Sequence, residues 1–256
     1  MKKYVSLLLI AVCVIGFAVR TQGQKIAIIN ESSEYLNVYA GAGTNYEVLT
    51  TINKDDFFYC DSILNEQWAK ITALEWKRNG EQIEGFVFKN SILLLENLET
   101  KKQKELIIQV LSKQKQLGED FKEYCNAINT GKNVDELNLR RKESENYGEL
   151  KYDPILEFLP IYFCATKDTV ILQLFYRTIL ANSGSASELP SFTIGKCYAC
   201  NPDLIMNQIQ YLENIEEKEF IFDKIEWGIE NNFYNNYNVE YNKLKIKLNK
   251  ERERSK

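Results

Sequence analysis

"LNVYAGAGTNYEVL", Leu36 to Leu49, sets two glycines two positions apart between tyrosines, in a chain with only 12 glycines among 256 residues. Before the glycines, Leu36, Val38 and Ala40 alternate with Asn37 and Tyr39, the period-2 pattern of a strand with one buried face. After them, "YEVLTTI" takes up strand character again. Between the two, "GAGTN" is turn chemistry, because glycine tolerates positive φ and Asn45 can close a turn through its side chain.

Working outward, the same texture recurs. "KIAIIN" (25–30), "FFYCDSIL" (57–64), "WAKITALEW" (68–76) and "IEGFVF" (83–88) are short runs rich in β-branched and aromatic residues. "NKDD", "NEQ" and "KRNGEQ" separate them, the last carrying Asn79-Gly80, the commonest type I′ hairpin pair. Five or six short strands at roughly ten-residue spacing predict a small antiparallel barrel or sandwich over 25–97.

Leu36-Asn37-Val38, the turn glycine Gly41, Val48, Trp68 in "WAKI" and Gly85-Phe86-Val87 follow one another in an order and spacing that resembles the bacterial SH3-like domain. That resemblance implies a small all-β barrel that binds a ligand, with Gly41, Gly43 and Gly85 as structural turn positions. Tyr39 stands where the family has arginine and Ala42 where it has proline. The loop between Ile71 and Gly85 is longer than usual and carries Trp76. Tyr39, Tyr46, Trp68, Trp76 and Phe86 are the candidate ligand-binding aromatics, although a small barrel also needs aromatics as filling. Tyr39 and Trp76 are the ones best placed for the surface.

The first 24 residues read as a secretory signal: Lys2-Lys3, an apolar run from Val5 to Val19, and small Thr21 and Gly23 ahead of a cut before Gln24. The run is shorter than a membrane span needs, and Val12 stands where lipidation of Cys13 would want a small residue. The expectation is an exported chain, periplasmic or extracellular, with no stable membrane insertion after cleavage. Lys2, Lys3 and Arg20 leave with the signal, so 29 basic residues face 36 acidic ones. An acidic chain argues against nucleic acid as partner. Within 25–97 the balance is 6 basic against 11 acidic residues, which suits a cationic or amide-rich peptide.

Histidine is absent. Ser-His-Asp and Cys-His catalysis both need an imidazole, and catalytic zinc usually does as well. Hence no catalytic residue, metal or cofactor is assigned.

Beyond residue 97 the period changes to that of helices. Leu106, Ile107, Val110, Leu111, Leu117, Phe121, Tyr124 and Ile128 recur at three- and four-residue steps, giving one amphipathic helix or two joined near Gly118. Residues 133–150 are highly charged and read as a weak helix or a connection. Asp153-Pro154 reads as an N-cap and first-turn proline. "ILEFLPIYFCA" and "TVILQLFYRTILA" should be the buried centre, "NSGSASELPS" a loop, and Asn201-Pro202-Asp203 the start of another helix. Two more helices follow, and the basic end "KLKIKLNKERERSK" reads as a frayed helix in solvent. The expectation is an all-α domain of five to seven helices over 98–256. Without a Gly/Ser/Pro-rich linker, it should pack against the first domain.

"GKCYACNPDL" places Cys197 and Cys200 just ahead of a helix start. The pair fits a local disulfide, a bond from either to Cys125 or Cys164, packed thiols, half a metal site, or a redox dithiol. The sequence therefore favours an exported non-enzymatic protein binding a peptide, cell-wall component or envelope protein. The competing readings are a cell-envelope enzyme targeted by the barrel and a redox protein using Cys197/Cys200.

Overall fold

β1 (Lys25–Ile29) and β4 (Phe58–Ile63) are apolar on both faces, and that fixes where the two halves of the molecule meet. Ala27, Ile29, Phe58 and Cys60 point to the inside of the sheet. Ile28 and Tyr59, with Phe57 beside them, point the other way into a cluster shared with the helices. A strand covered on both sides reads as a continuous apolar run rather than an alternation, which is what "IAII" and "FFYC" are. The computed structural model describes residues 23–30, 34–74, 82–128, 134–233 and 239–254. Residues 1–22 of the expected signal segment 1–24, Trp76 and the Asn79-Gly80 turn lie outside the described residues.

The remaining strands are β2 (Tyr35–Tyr39), β3 (Val48–Asn53), β5 (Trp68–Ala73), β6 (Ile83–Phe88) and β7 (Ile92–Leu94). They form one seven-stranded antiparallel sheet in the order β3-β2-β6-β5-β4-β1-β7, open at β3 and β7. Residues from both edges, Ile52 and Ile92, share one inner cluster with Leu36, Val38, Ile71 and Val87. The sheet therefore coils around its own core. Six of the strands lie where the short β-branched and aromatic runs predict them. β7 was not anticipated: a single 3-10 turn, Lys89–Ser91, redirects the chain to pair with β1.

Eight α-helices follow among the described residues: α1 (Thr100–Ile128), α2 (Val134–Tyr147), α3 (Asp153–Thr166), α4 (Thr169–Ala181), α5 (Leu189–Cys200), α6 (Pro202–Ile209), α7 (Ile215–Phe233) and α8 (Val239–Arg254). The count exceeds the five to seven expected. The charged stretch is a full helix, and part of the expected loop at 182–191 is the first turn of α5. α1 runs unbroken through Gly118, where a side chain would strike Ala181 O at 2.8 Å.

Asp153 does not cap a helix start, contrary to expectation. Its backbone is helical, because a single π turn, Gly148–Tyr152, joins α2 to α3 and absorbs Pro154 without breaking the chain's course. Asp168 is the side chain that caps, accepting from Val170 N at 3.0 Å and Ile171 N at 3.2 Å to start α4.

Sheet and helices pack, as the missing linker implied. Leu74 and Leu95 join Ile28, Phe57 and Tyr59 in the helical core. Lys151 donates to Asp55 O and lies 2.6 Å from Asp56 Oδ1 on the β3–β4 turn, and Tyr59 Oη donates to Glu157 Oε2 at 3.3 Å. The basic end is not frayed as far as Arg254. Lys245 pairs with Glu230, Lys247 with Asp203, and Arg252 with Glu219, Asp223 and Glu226, which ties α8 to α7 and α6.

Candidate functional site

Odd-numbered residues of β2 and even-numbered residues of β5 and β6 face away from the inner core. Three of them are rings that meet. Trp68 stands opposite Phe88 in the β5–β6 register, and their rings stack at 4.4 Å with 28° between planes. Tyr39 meets both edge-on, at 5.8 Å to Trp68 and 6.4 Å to Phe88. Offset and edge-on pairs of this kind are worth about 0.5–1.5 kcal/mol each beyond the area they bury. Trp68 is the floor of the cluster at 6% exposure, and Phe88 is its open side at 38%.

Local sequence aims each ring. Asn65 Oδ1 accepts from Gln67 N at 2.8 Å and Trp68 N at 2.9 Å, a side-chain turn that fixes the first residue of β5. The β2–β3 register shifts between Val38 and Tyr39, and such a bulge re-aims the side chain beside it. At Gly85 an added Cβ would lie 2.5 Å from Val38 Cγ1 and 2.7 Å from Tyr39 O. Only glycine lets β6 close on β2 there.

Phe86 lies on the same outer face, in register with Tyr39 on one side and Lys70 on the other. Lys70 Nζ and Glu84 Oε2 pair at 2.7 Å between β5 and β6, setting one ion pair at the edge of the rings. Tyr46 is elsewhere. Its ring lies over the Gly41–Gly43 turn and is 51% exposed. A Cβ at Gly41 would stand 2.7 Å from that ring, and one at Gly43 would stand 3.3 Å from it. These two glycines are needed for this close approach and not for positive φ, since Gly23 is the described glycine with that backbone. The structure thus brings Tyr39, Trp68 and Phe86 together on one face and leaves Tyr46 on its own turn. Phe88 was missed, although its two-residue offset from Phe86 was the available signal.

Of the cysteine pairings considered from sequence, the structure shows the bond to Cys164 and not the local pair. Cys200 is bonded to Cys164, with Cα atoms 5.8 Å apart, and Cys197 is a buried free thiol. The reason is helical geometry. Cys197-Tyr198-Ala199-Cys200 forms the last turn of α5, immediately ahead of the α6 start at Asn201-Pro202 as the sequence implied, with Cys200 turned to Cys164 of α3. Cys197 points into the core beside Tyr198, and burial pushes its thiol well above the ordinary range, the opposite of a reactive dithiol. Among the described residues, no three of His, Cys, Asp or Glu gather as a metal cluster, and no helix is long and apolar enough to cross a membrane.

A concavity of about 420 Å³ lies between α1, α4 and the start of α7. Its basic side chains are engaged with neighbours: Lys115 with Glu119, Arg177 with Glu213 and Glu217, and Lys122 with Leu180 O. Comparisons with protein-family models, with curated proteins and with solved structures find no match to the chain.

Proposed function

We propose that this is an exported, non-enzymatic binding protein whose N-terminal sheet is an SH3-like barrel, and that it takes a peptide on the Tyr39–Trp68–Phe88 face. The peptide belongs to a cell-wall component or an envelope protein. One observation carries the reading. An edge-on tyrosine and an exposed phenylalanine stand on a buried tryptophan, at a face beside an interstrand ion pair. Rigid aromatic clusters of this kind supply contact area with little entropy to lose, which is why they serve as anchors in binding sites. The excess of acid in 25–97 favours a cationic or amide-rich segment over an anionic polymer. The helices support the sheet from its opposite end, through β1 and β4.

The test is co-sedimentation of the full chain with purified peptidoglycan, run beside affinity capture from envelope extract. Tyr39→Ala and Phe88→Ala are expected to weaken retention at least tenfold, the equivalent of about 1.4 kcal/mol. Tyr46→Ala is expected to leave it within about twofold. Undiminished retention by both ring variants would remove the cluster from the site, and no retention in either arm would remove the binding reading.

A further inference from the structure

The Cys164–Cys200 bond joins the C-terminal turns of α3 and α5 at the surface, unlike the fully buried Cys60 and Cys197. Cys164 is exposed and Cys200 half-exposed. Lys167 Nζ lies 2.9 Å from Cys200 Sγ and also donates to Cys164 O at 2.8 Å. Lys167 is the non-glycine residue at positive φ among those described, at 57°. It ends α3 in the left-handed conformation, with its N–H donating to Phe163 O. That conformation disfavours a residue with a Cβ. Here it brings an ammonium onto one particular sulfur of an exposed disulfide. Ile161, one turn earlier on the Cys164 side of α3, is 58% exposed.

We propose that Cys164–Cys200 is a thiol–disulfide exchange site that reacts with a dithiol. One thiolate of the dithiol attacks Cys164 Sγ, which is open to solvent, and forms a mixed disulfide. The Cys164–Cys200 bond breaks, and its electron pair leaves on Cys200 Sγ as a thiolate beside the Lys167 ammonium. The second thiol of the dithiol then loses its proton and attacks its own partner sulfur, releasing Cys164 as a thiolate that takes up that proton. Two electrons pass to the protein, and the dithiol closes to a cyclic disulfide. The reverse reaction re-forms Cys164–Cys200 and reduces the cyclic disulfide to its dithiol by the same steps. Lys167 is a positioning residue: a cation at the leaving sulfur speeds exchange and stabilises the reduced form. Cys197, fully buried one turn before Cys200, takes no part.

The full chain is equilibrated with reduced and oxidised dithiothreitol, trapped with N-ethylmaleimide and mapped by peptide mass spectrometry. Native protein is expected to gain label at Cys164 and Cys200 together without denaturant, with Cys197 unlabelled. Lys167→Asn keeps a residue suited to the left-handed turn but removes the charge. It should slow reduction and shift the equilibrium toward disulfide by about tenfold each, the latter about 30 mV. Lys167→Arg should restore both to within about twofold. Kinetics of Lys167→Asn equal to those of the native chain, free thiols at 164 and 200 before reduction, or label arriving at Cys197 alongside them would each overturn the proposal. Repeating the assay with reduced thioredoxin and Ile161→Glu separates the sources. Slowing with thioredoxin alone marks a protein dithiol, and equal rates mark a small one.

Discussion

Gly228 on α7 and Gly195 on α5 meet backbone to backbone. A Cβ at Gly228 would lie 2.0 Å from Ser191 O, and one at Gly195 would lie 2.6 Å from Gly228 C. Helix propensity alone would favour alanine at an interior glycine by about 1 kcal/mol. Overpacking between two rigid backbones works the other way, typically by 1–3 kcal/mol and occasionally more. Gly228→Ala should therefore lower unfolding stability by roughly 3 kcal/mol, read as a drop in urea midpoint at unchanged slope. Gly148, in the π turn, has nothing within 4 Å of a built Cβ, so Gly148→Ala should be neutral or stabilise by about 0.5 kcal/mol. A Gly228→Ala chain as stable as the native one would mean that α5 and α7 cross at a greater distance. Neither glycine stood out in the sequence, because a close approach between helices leaves no local pattern. Phe88 did leave one: alternation puts it beside Phe86 on the outer face, and only attention to the family motif drew the reading to Phe86 instead.

Within α3, Pro160 has no N–H to give Leu156 O, the bond its position in the helix would otherwise make. Thr193 of α5 supplies the missing donor, its Oγ1 reaching Leu156 O at 3.0 Å, and Thr193 is itself buried. The same hydroxyl that satisfies a proline-orphaned carbonyl thus also fixes the register between two helices. Thr193→Val preserves shape and removes the donor, so it should cost about 1–2 kcal/mol, the penalty of a buried acceptor left unpaired. Thr193→Ser should recover most of that. Equal stability of the valine and native chains would show that Leu156 O finds another partner. Elements of this kind were largely legible as helices, through apolar residues at three- and four-residue steps and the Asn201-Pro202 start, where Asn201 Oδ1 accepts from Leu204 N at 3.2 Å. Their ends were less so. The start at Asp153 with its first-turn proline was legible, but the π turn ahead of it left no cap for Asp153 to make. The basic face of α8 looked solvated because its acidic partners lie on α7 and α6, distant in sequence.

At the scale of the molecule, sheet and helices share one apolar cluster, and the tyrosines within it determine how the fold responds to alkali. The two-part organisation was legible from the change of period near residue 98. The joint between the parts was legible too, in the two-faced runs of β1 and β4, once the helices are known to cover them. With no histidine in the chain, few groups titrate between about pH 6 and 8, so stability should be nearly flat there. Above that range burial decides. Burial pushes Tyr147 up to about 12 and holds Tyr152, Tyr176 and Tyr198 well above the ordinary tyrosine value. Below pH 10 both folded and unfolded chains keep these protons, and the stability they contribute is fully present. Above it the unfolded chain ionises and the folded one does not, so unfolding becomes more favourable as pH rises, by up to ~1.4 kcal/mol per pH unit for each fully protected tyrosine. Tyr152 and Tyr176, the most enclosed, should together remove roughly 2 kcal/mol between about pH 10 and 11. The Cys197 thiol, raised by the same burial, begins to act in the same direction at somewhat lower pH. Urea midpoints taken across this range, with phenolate absorbance followed in parallel, should show stability falling while the native absorbance lags behind that of the unfolded chain. Tyr176→Phe should flatten the fall by about a quarter, since its ring stays in place and one of the four protected hydroxyls is gone. A native chain whose tyrosines all ionise together near pH 10, with no loss of stability, would mean that water reaches the interior these rings are built into.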